Sequence, residues 1–222
     1  MQRLGLHIAD AEAVNTFSTE HLSTSNVKPD TVASLENSFP DVFKDGLRHC
    51  TVTKATLTLK QNATPVYRRA RPVPYASVPI VEQELDHLLN LGVIKPVRHA
   101  DWAAPVMVVK KSDGSARLCI DYSTVLKDAL QLHQHSLPVP EDIFATLNGG
   151  HVFSRIDFSD AHLQVEFDDS KRLCNINTHR GVDVYQRLPF GVKSAPGIFQ
   201  AIMDKMLAGL PLQPPFWMIL WW

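Results

Sequence analysis

The stretch HVFSRIDFSDAHLQVEF, residues 151–167, decides how the rest of the chain is read. Its first half, HVFSRIDF, is rich in β-branched and aromatic residues and predicts a strand, with Asp157 near the C-terminal end. HLQVEF predicts another strand, which turns at Asp168 and Asp169 into LCNINTH (173–179). Beyond the loop RLPFGVKSAP (187–196), Phe199, Ile202, Met203 and Met206 recur at i, i+3, i+4 and i+7. That spacing, with Pro196 at the start and Gly209 near the end, predicts a helix. Upstream, APVMVVKK (104–111) and ARLCIDY (116–122) read as a hairpin with Asp113 and Gly114 in its turn. Before it, Ile80, Leu85, Leu88 and Leu89 lie at helical spacing between Pro79 and the stop at Gly92. LPVPEDIFATLNGG (137–150) predicts a short helix, and TVTKATLTL (51–59) alternates like a strand. TPVYRRARPVPYASVP (64–79) is basic, Pro-studded and extended. Strands and helices interleave without a regular βαβ beat, so the expected class is α+β, with a mainly antiparallel sheet and packed helices.

A chain of 222 residues can form one good-sized domain or two small ones, and 45% hydrophobic against 20% charged residues excludes wholesale disorder. Residues 1–38 are polar, Ser/Thr-rich at first and without sustained periodicity; they read as a partly disordered linker or connector. No apolar run reaches membrane-spanning length, and the start MQRLGLHIADAEAVN lacks the basic and apolar regions of a secretory signal. Cys50, Cys119 and Cys174 lie far apart and are odd in number, which fits neither a disulfide framework nor a zinc module. The expectation is an intracellular, cytoplasmic protein with no membrane partner, with Cys119 in a core strand. The net charge of −1 hides a split: residues 44–117 carry twelve Lys+Arg against six Asp+Glu, leaving −7 elsewhere. Cations for phosphates beside carboxylates for metal suit a polymerase-like protein, although a solvated charged surface has the same composition.

Phosphate-loop glycines, GxSxG and HExxH are absent, and His133 and His135 lack sequence neighbours that would complete a zinc site. Asp157, at the end of an apolar strand, is rigidly placed to offer a carboxylate to a metal; an Asp there also begins turns. Lys110, Lys111 and Arg117 flank the hairpin turn, where long cations can reach a triphosphate or simply face solvent.

In order, LGVIKPVRHADWAAPVMVVKKSDGSARLCIDYS (91–123), LPVPEDIFATLNGG, FSRIDFSDAHLQV (153–165) and INTHRGVDVYQRLPFGVKSAPGIFQAIMDKML (176–207) resemble the reverse transcriptase of gypsy-type LTR retrotransposons. The resemblance covers about residues 39–211. It implies a right-hand polymerase fold, with fingers in 39–145 and the start of the palm in 146–211, returning to the fingers at about 166–187. It also implies that residues 1–38 are the connector after a protease. By the same resemblance Asp157 is the first metal-binding carboxylate, and the Phe158 carbonyl is a further ligand to one of two Mg²⁺ ions. Lys111 and Arg117 match the fingertip cations that grip the incoming nucleotide. His162 stands where the family has the Tyr that screens the 2′-hydroxyl, and its imidazole still supplies bulk. Phe190 and Gly191, in Leu188-Pro189-Phe190-Gly191, match the motif beside the nucleotide pocket. Ser123 and Leu126 replace the family's Arg and Asn in a template-touching segment, which implies weaker template contact.

The family's other carboxylates come from a Tyr/Phe-x-Asp-Asp hairpin after the Met-rich helix, where this chain reads LQPPFWMILWW (212–222). The genetic code supplies an explanation. Trp217 is TGG, Met218 is ATG and Ile219 begins AT. Read two bases later, the Phe216 to Ile219 codons give Leu-Asp-Asp whichever codons are used. The preceding shifted codon gives Phe, Leu, Ile or Val. Residues 212–222 are therefore expected to be an out-of-frame tail, real or from gene prediction. The expected function is RNA-directed DNA polymerase, inactive in this form, acting on an RNA/DNA primer-template with deoxynucleoside triphosphates. RNase H and integrase domains of a longer product are expected neighbours. The alternatives are a non-catalytic RNA/DNA-binding remnant or a pseudogene product.

Overall fold

The computed structural model describes residues 6–10, 29–44, 46–110, 116–133, 135, 139, 152–156, 158 and 160–208. In chain order its elements are β1 (Leu6–Asp10), α1 (Pro29–Ser38), α2 (Pro40–Phe43), α3 (Val78–Asn90), β2 (Ile94–Val97), β3 (Ala104–Lys110), β4 (Ala116–Ile120), β5 (Val152–Ile156), β6 (Asn175–Thr178), β7 (Gly181–Tyr185) and α4 (Ala195–Leu207). Short 3₁₀ turns lie at Tyr75–Ser77, Tyr122–Thr124, Ala161–Gln164 and Asp169–Leu173. The chain divides into two compact units.

The first unit comprises Met1–Leu47, Pro138–Ala161 and Leu210–Trp222. Within it β1 runs antiparallel to β5, with Leu6 opposite Ile156 and Asp10 opposite Val152. Residues 6–10 and 29–38, in which the sequence shows no sustained periodicity, are thus a strand and a helix. Five residues of strand are too few for a period to stand out, and its partner lies far along the chain. The strand expected at HVFSRIDF is present as β5. The expected helix at 137–150, the 113–114 turn and the 212–222 tail lie outside the described residues.

The second unit, Arg48–Leu137 and His162–Gly209, holds a five-stranded sheet in the order β2-β7-β6-β3-β4. All neighbours are antiparallel except β3 with β6, where Ala104 faces Ile176. The expected hairpin is β3 and β4. Cys119, opposite Met107 on the outermost strand, is only half-buried, whereas Cys174 is fully buried. Central β6 is buried along its whole length, as a strand covered on both faces must be. Its two Asn side chains are satisfied. Asn175 donates to the carbonyls of Trp102 (2.8 Å) and Arg172 (2.6 Å), and Asn177 donates to the Tyr67 hydroxyl (2.9 Å) and the Arg68 carbonyl (3.1 Å). Edge strand β2 accommodates Pro96, whose missing N–H would interrupt an interior strand.

Helix α3 touches both β2 and β4, at opposite edges, and so lies across the sheet. It buries Val81, Leu85 and Leu88, while Ile80, expected in the apolar stripe, is exposed. The helix ends where Gly92 takes φ +66. The Val93 N–H reaches the Leu88 carbonyl and that of Gly92 the Leu89 carbonyl, a Schellman closure. Helix α4 buries Ala195, Ile198, Phe199, Ile202 and Met203, but Met206 is 42% exposed at the fraying end of the stripe.

Two expected strands are not continuous ladders. TVTKATLTL makes isolated bridges, Ala55 with Phe167 and Leu59 with Leu130, although Ala55 and Leu57 are buried in alternation as expected. In HLQVEF the first residues form the Ala161–Gln164 turn, and only Glu166 and Phe167 bridge, to Arg187 and Ala55. Side chains replace the missing ladder: Thr56 donates to Asp168 (2.6 Å), and the Leu57 N–H donates to the Ser170 hydroxyl (2.9 Å).

Candidate functional site

The second unit brings together three of the expected nucleotide-pocket residues. Leu188 and Val192 are buried, and the Leu188 N–H donates to the Val165 carbonyl (2.8 Å). This anchoring lifts Phe190 out to 43% exposure. Gly191 then turns at φ +91, where a Cβ would stand 2.8 Å from the Ile120 carbonyl oxygen. Only glycine allows the loop to pass so close to the end of β4.

Beside this loop, His162 sits in the Ala161–Gln164 turn with only 7% exposure. Its ring packs 4.7 Å from that of Phe190 and 5.0 Å, edge-on, from that of Phe199. Neither ring nitrogen has a hydrogen-bond partner. Burial lowers the imidazole pKa to about 4, so the ring is neutral at pH 7. The bulk expected at this position is therefore packed at a tilt against Phe190, which is the more exposed of the two residues.

On the other side of Gly191 a cavity of about 210 Å³ is lined by Tyr122, Ser123, Leu126, Lys127, Gly191 and Lys193. Tyr122 is buried, its hydroxyl donates to the Cys174 carbonyl (3.4 Å), and burial raises its pKa well above the ordinary phenol value. Ser123 donates to Asp121 (2.5 Å), whose other carboxylate oxygen accepts from Arg71 (2.6 Å). Arg71, which the sequence pattern did not single out, thus shares the Asp121 carboxylate with Ser123. Lys127 and Lys193, both exposed, are two more cations that no motif flagged. Their signal was spatial: they lie far apart in sequence and meet only through the fold.

Other expected site residues are not brought into this group. Asp157 and Lys111 lie outside the described residues, and Arg117 is placed only by register, in β4 opposite Val109. Phe158 is exposed and belongs to the first unit, as does Asp160, which adopts the left-handed φ +48. His135 bonds Asp204 (2.6 Å), and among the described residues no three His, Cys, Asp or Glu side chains gather as a metal site. No helix among them is long and apolar enough to cross a membrane.

The antiparallel-dominated sheet, the crossing helix and the Leu188–Gly191 corner leading into α4 define a polymerase-type α+β fold, that of retroviral reverse transcriptases. Foamy viral protease-reverse transcriptase in complex with an RNA/DNA hybrid matches 82% of this chain and 25% of its own, at TM-score 0.69 and 20% identity. No protein-family model matches the chain. In sequence it is 48% identical over 210 residues to an uncharacterized protein of Caenorhabditis elegans, covering 93% of this chain and 16% of that one. It is 25% identical over 224 residues to the retrovirus-related Pol polyprotein from transposon 412 of Drosophila melanogaster, covering 90% and 18%. The chain spans about a sixth of the length of these curated relatives.

Proposed function

We propose that the chain supplies the fingers, residues 39–145, and the opening palm, residues 146–211, of an RNA-directed DNA polymerase from a gypsy-type retrotransposon Pol polyprotein. One observation carries this reading: His162, Phe190 and Gly191 converge beside the Tyr122 cavity, although Tyr122 lies far from them in sequence. The likeness to Pol polyproteins supports it, and the hybrid bound by the foamy viral enzyme supports an RNA/DNA primer-template as partner.

The reaction is attack of a primer 3′-hydroxyl on the α-phosphorus of a deoxynucleoside triphosphate, with pyrophosphate leaving. In this reading Lys111 and Arg117 hold the triphosphate, and Phe190, backed by neutral His162, packs against the sugar. Gly191 keeps the floor of the site free of a side chain. Arg71, Lys127 and Lys193 face template phosphates in place of the family's Arg. The Asp157 carboxylate and Phe158 carbonyl are hard oxygen donors of the kind Mg²⁺ takes, so their chemistry fits that ion. Bound there, Mg²⁺ supplies charge neutralisation at the transferring phosphoryl group. We place the remaining carboxylates in the shifted reading of codons 216–219.

The test is primer extension on an RNA template with Mg²⁺ and deoxynucleotides. A version continued in the shifted frame is expected to extend the primer, and its Asp157→Asn variant to lose activity by at least a hundredfold, about 2.7 kcal/mol in the barrier. The 222-residue chain is expected not to extend it; extension by that chain would sink the frame reading. A frame-corrected protein that binds hybrid yet never extends would favour the non-catalytic reading, which the basic stretch at 44–117 also suits.

A further inference from the structure

A second cleft in the same unit is open to solvent, holds about 430 Å³, and is lined by Tyr67, Arg98, His99, Ala100, Asp101 and Val182. We propose that it binds single-stranded nucleic acid, with a base stacked on the Tyr67 ring and the adjoining phosphate on Arg98. The proposal rests on the nucleic-acid reading above, but its two binding residues, Tyr67 and Arg98, are not among those assigned there.

Tyr67 is a prepared stacking platform. The residue is 49% exposed, yet its backbone bridges to Ala103, and the hydroxyl accepts a hydrogen bond from Asn177 of the buried central strand. The Arg68 N–H donates to the Ala103 carbonyl, and the Arg68 carbonyl accepts from Asn177. The ring is therefore held before any ligand arrives, and little freedom is lost on stacking. The opposite wall, residues 98–101, is pinned at one end by the Val97 pairing with Val182 and at the other by buried Trp102. His99 lies 3.3 Å from Asp101, the one acidic group lining the cleft, and Arg98 is the exposed cation beside them.

The cleft also leads somewhere. From Tyr67 the extended chain crosses the start of β3 to Arg71, whose partner Asp121 has its N–H on the Pro105 carbonyl. Exposed Arg68 and Arg69 lie on that crossing, so cations continue from the Tyr67 cleft toward the Ser123 cavity. An aromatic platform followed by a line of cations matches a single strand, whose bases are free to stack; a duplex has its bases already stacked, and an acidic peptide has no use for the ring.

The experiment is fluorescence anisotropy with the 222-residue chain and a labelled oligothymidylate of about 12 nucleotides, at several salt concentrations. Tyr67→Ala is expected to weaken binding about tenfold, and Tyr67→Phe, which keeps the ring but loses the Asn177 hydrogen bond, to fall between that variant and wild type. Arg98→Ala, a change at an exposed side chain that leaves folding intact, is expected to reduce the slope of log affinity against log salt by about 0.7. Binding of a blunt duplex is expected to be unmoved by Tyr67→Ala. If Tyr67→Ala and Arg98→Ala match wild type on single strands while Lys127→Ala and Lys193→Ala weaken binding, the cleft proposal falls and the polymerase reading stands. If the wild-type chain binds no nucleic acid even at low salt, both fall. Equal competition by polyglutamate would reassign the cleft to acidic peptides and overturn the proposal.

Discussion

His162 shows what a single residue's surroundings decide. An imidazole with both nitrogens unpartnered between two phenyl rings resists protonation, and its folded pKa of about 4 lies below the ordinary 6.5. Between those values the unfolded chain binds a proton that the folded chain refuses. Stability therefore falls as pH drops through that window and levels off below it, by about 2 kcal/mol between pH 7 and 5. His162→Phe is expected to flatten this dependence, read as urea midpoints at the two pH values. Glycines give a paired comparison. Gly191→Ala drives a methyl into the Ile120 carbonyl at a positive φ, whereas Gly92→Ala meets nothing within 4 Å. The first is expected to cost about 3 kcal/mol and the second about 1 kcal/mol in urea unfolding. The sequence made Gly191 legible as a motif member, but not the reason: the contact is with β4, about 70 residues earlier. Tyr67, Arg71 and Arg98 were invisible for the same cause, since residues within an extended segment or a loop carry no period.

At the scale of elements, local signals were read well where they were strong. The α3 boundaries follow from Pro79 and Gly92, and the β3–β4 hairpin follows from two apolar runs around a turn. In the α3 stripe Leu85 and Leu88 are buried as expected, but its first member is Val81 and not Ile80, because the two are about equally apolar and only the sheet beneath selects between them. Val81→Ala is expected to cost about 1–2 kcal/mol and Ile80→Ala less than about 0.5 kcal/mol, measured by thermal unfolding. Strands β2 and β7 went unrecognised: IKPV contains a Pro and GVDVY an Asp, both poor strand formers by propensity. Tertiary placement overrides that preference. Pro96 lies at the sheet edge, and Asp183, whose pKa burial raises while Arg180 lowers it, opposes Pro96 across the pairing. HLQVEF failed in the other direction, since its alternation is genuine but its partners are single bridges and side-chain bonds rather than a ladder.

For the whole molecule, the α+β class followed from the interleaving of strand and helix signals, and the polymerase fold from the resemblance of the ordered segments. The sheet has a consequence in time. Lys95 of β2 waits for Val184 of β7, about 90 residues later, and β3 waits nearly as long for β6. On a ribosome adding roughly 5–20 residues each second, both gaps stay open for about 5–20 s. Throughout that interval the nascent hairpin presents unpaired backbone and Val93, Ile94 and Ala104, all buried in the finished fold, to the crowded exit of the tunnel. Synonymous slow codons placed between positions 121 and 174 are therefore expected to raise the insoluble fraction of newly made protein. The same codons placed before position 78, when neither β2 nor β3 has been made, are expected to have a smaller effect. Pulse-labelling and sedimentation would show whether the harm depends on where the ribosome pauses.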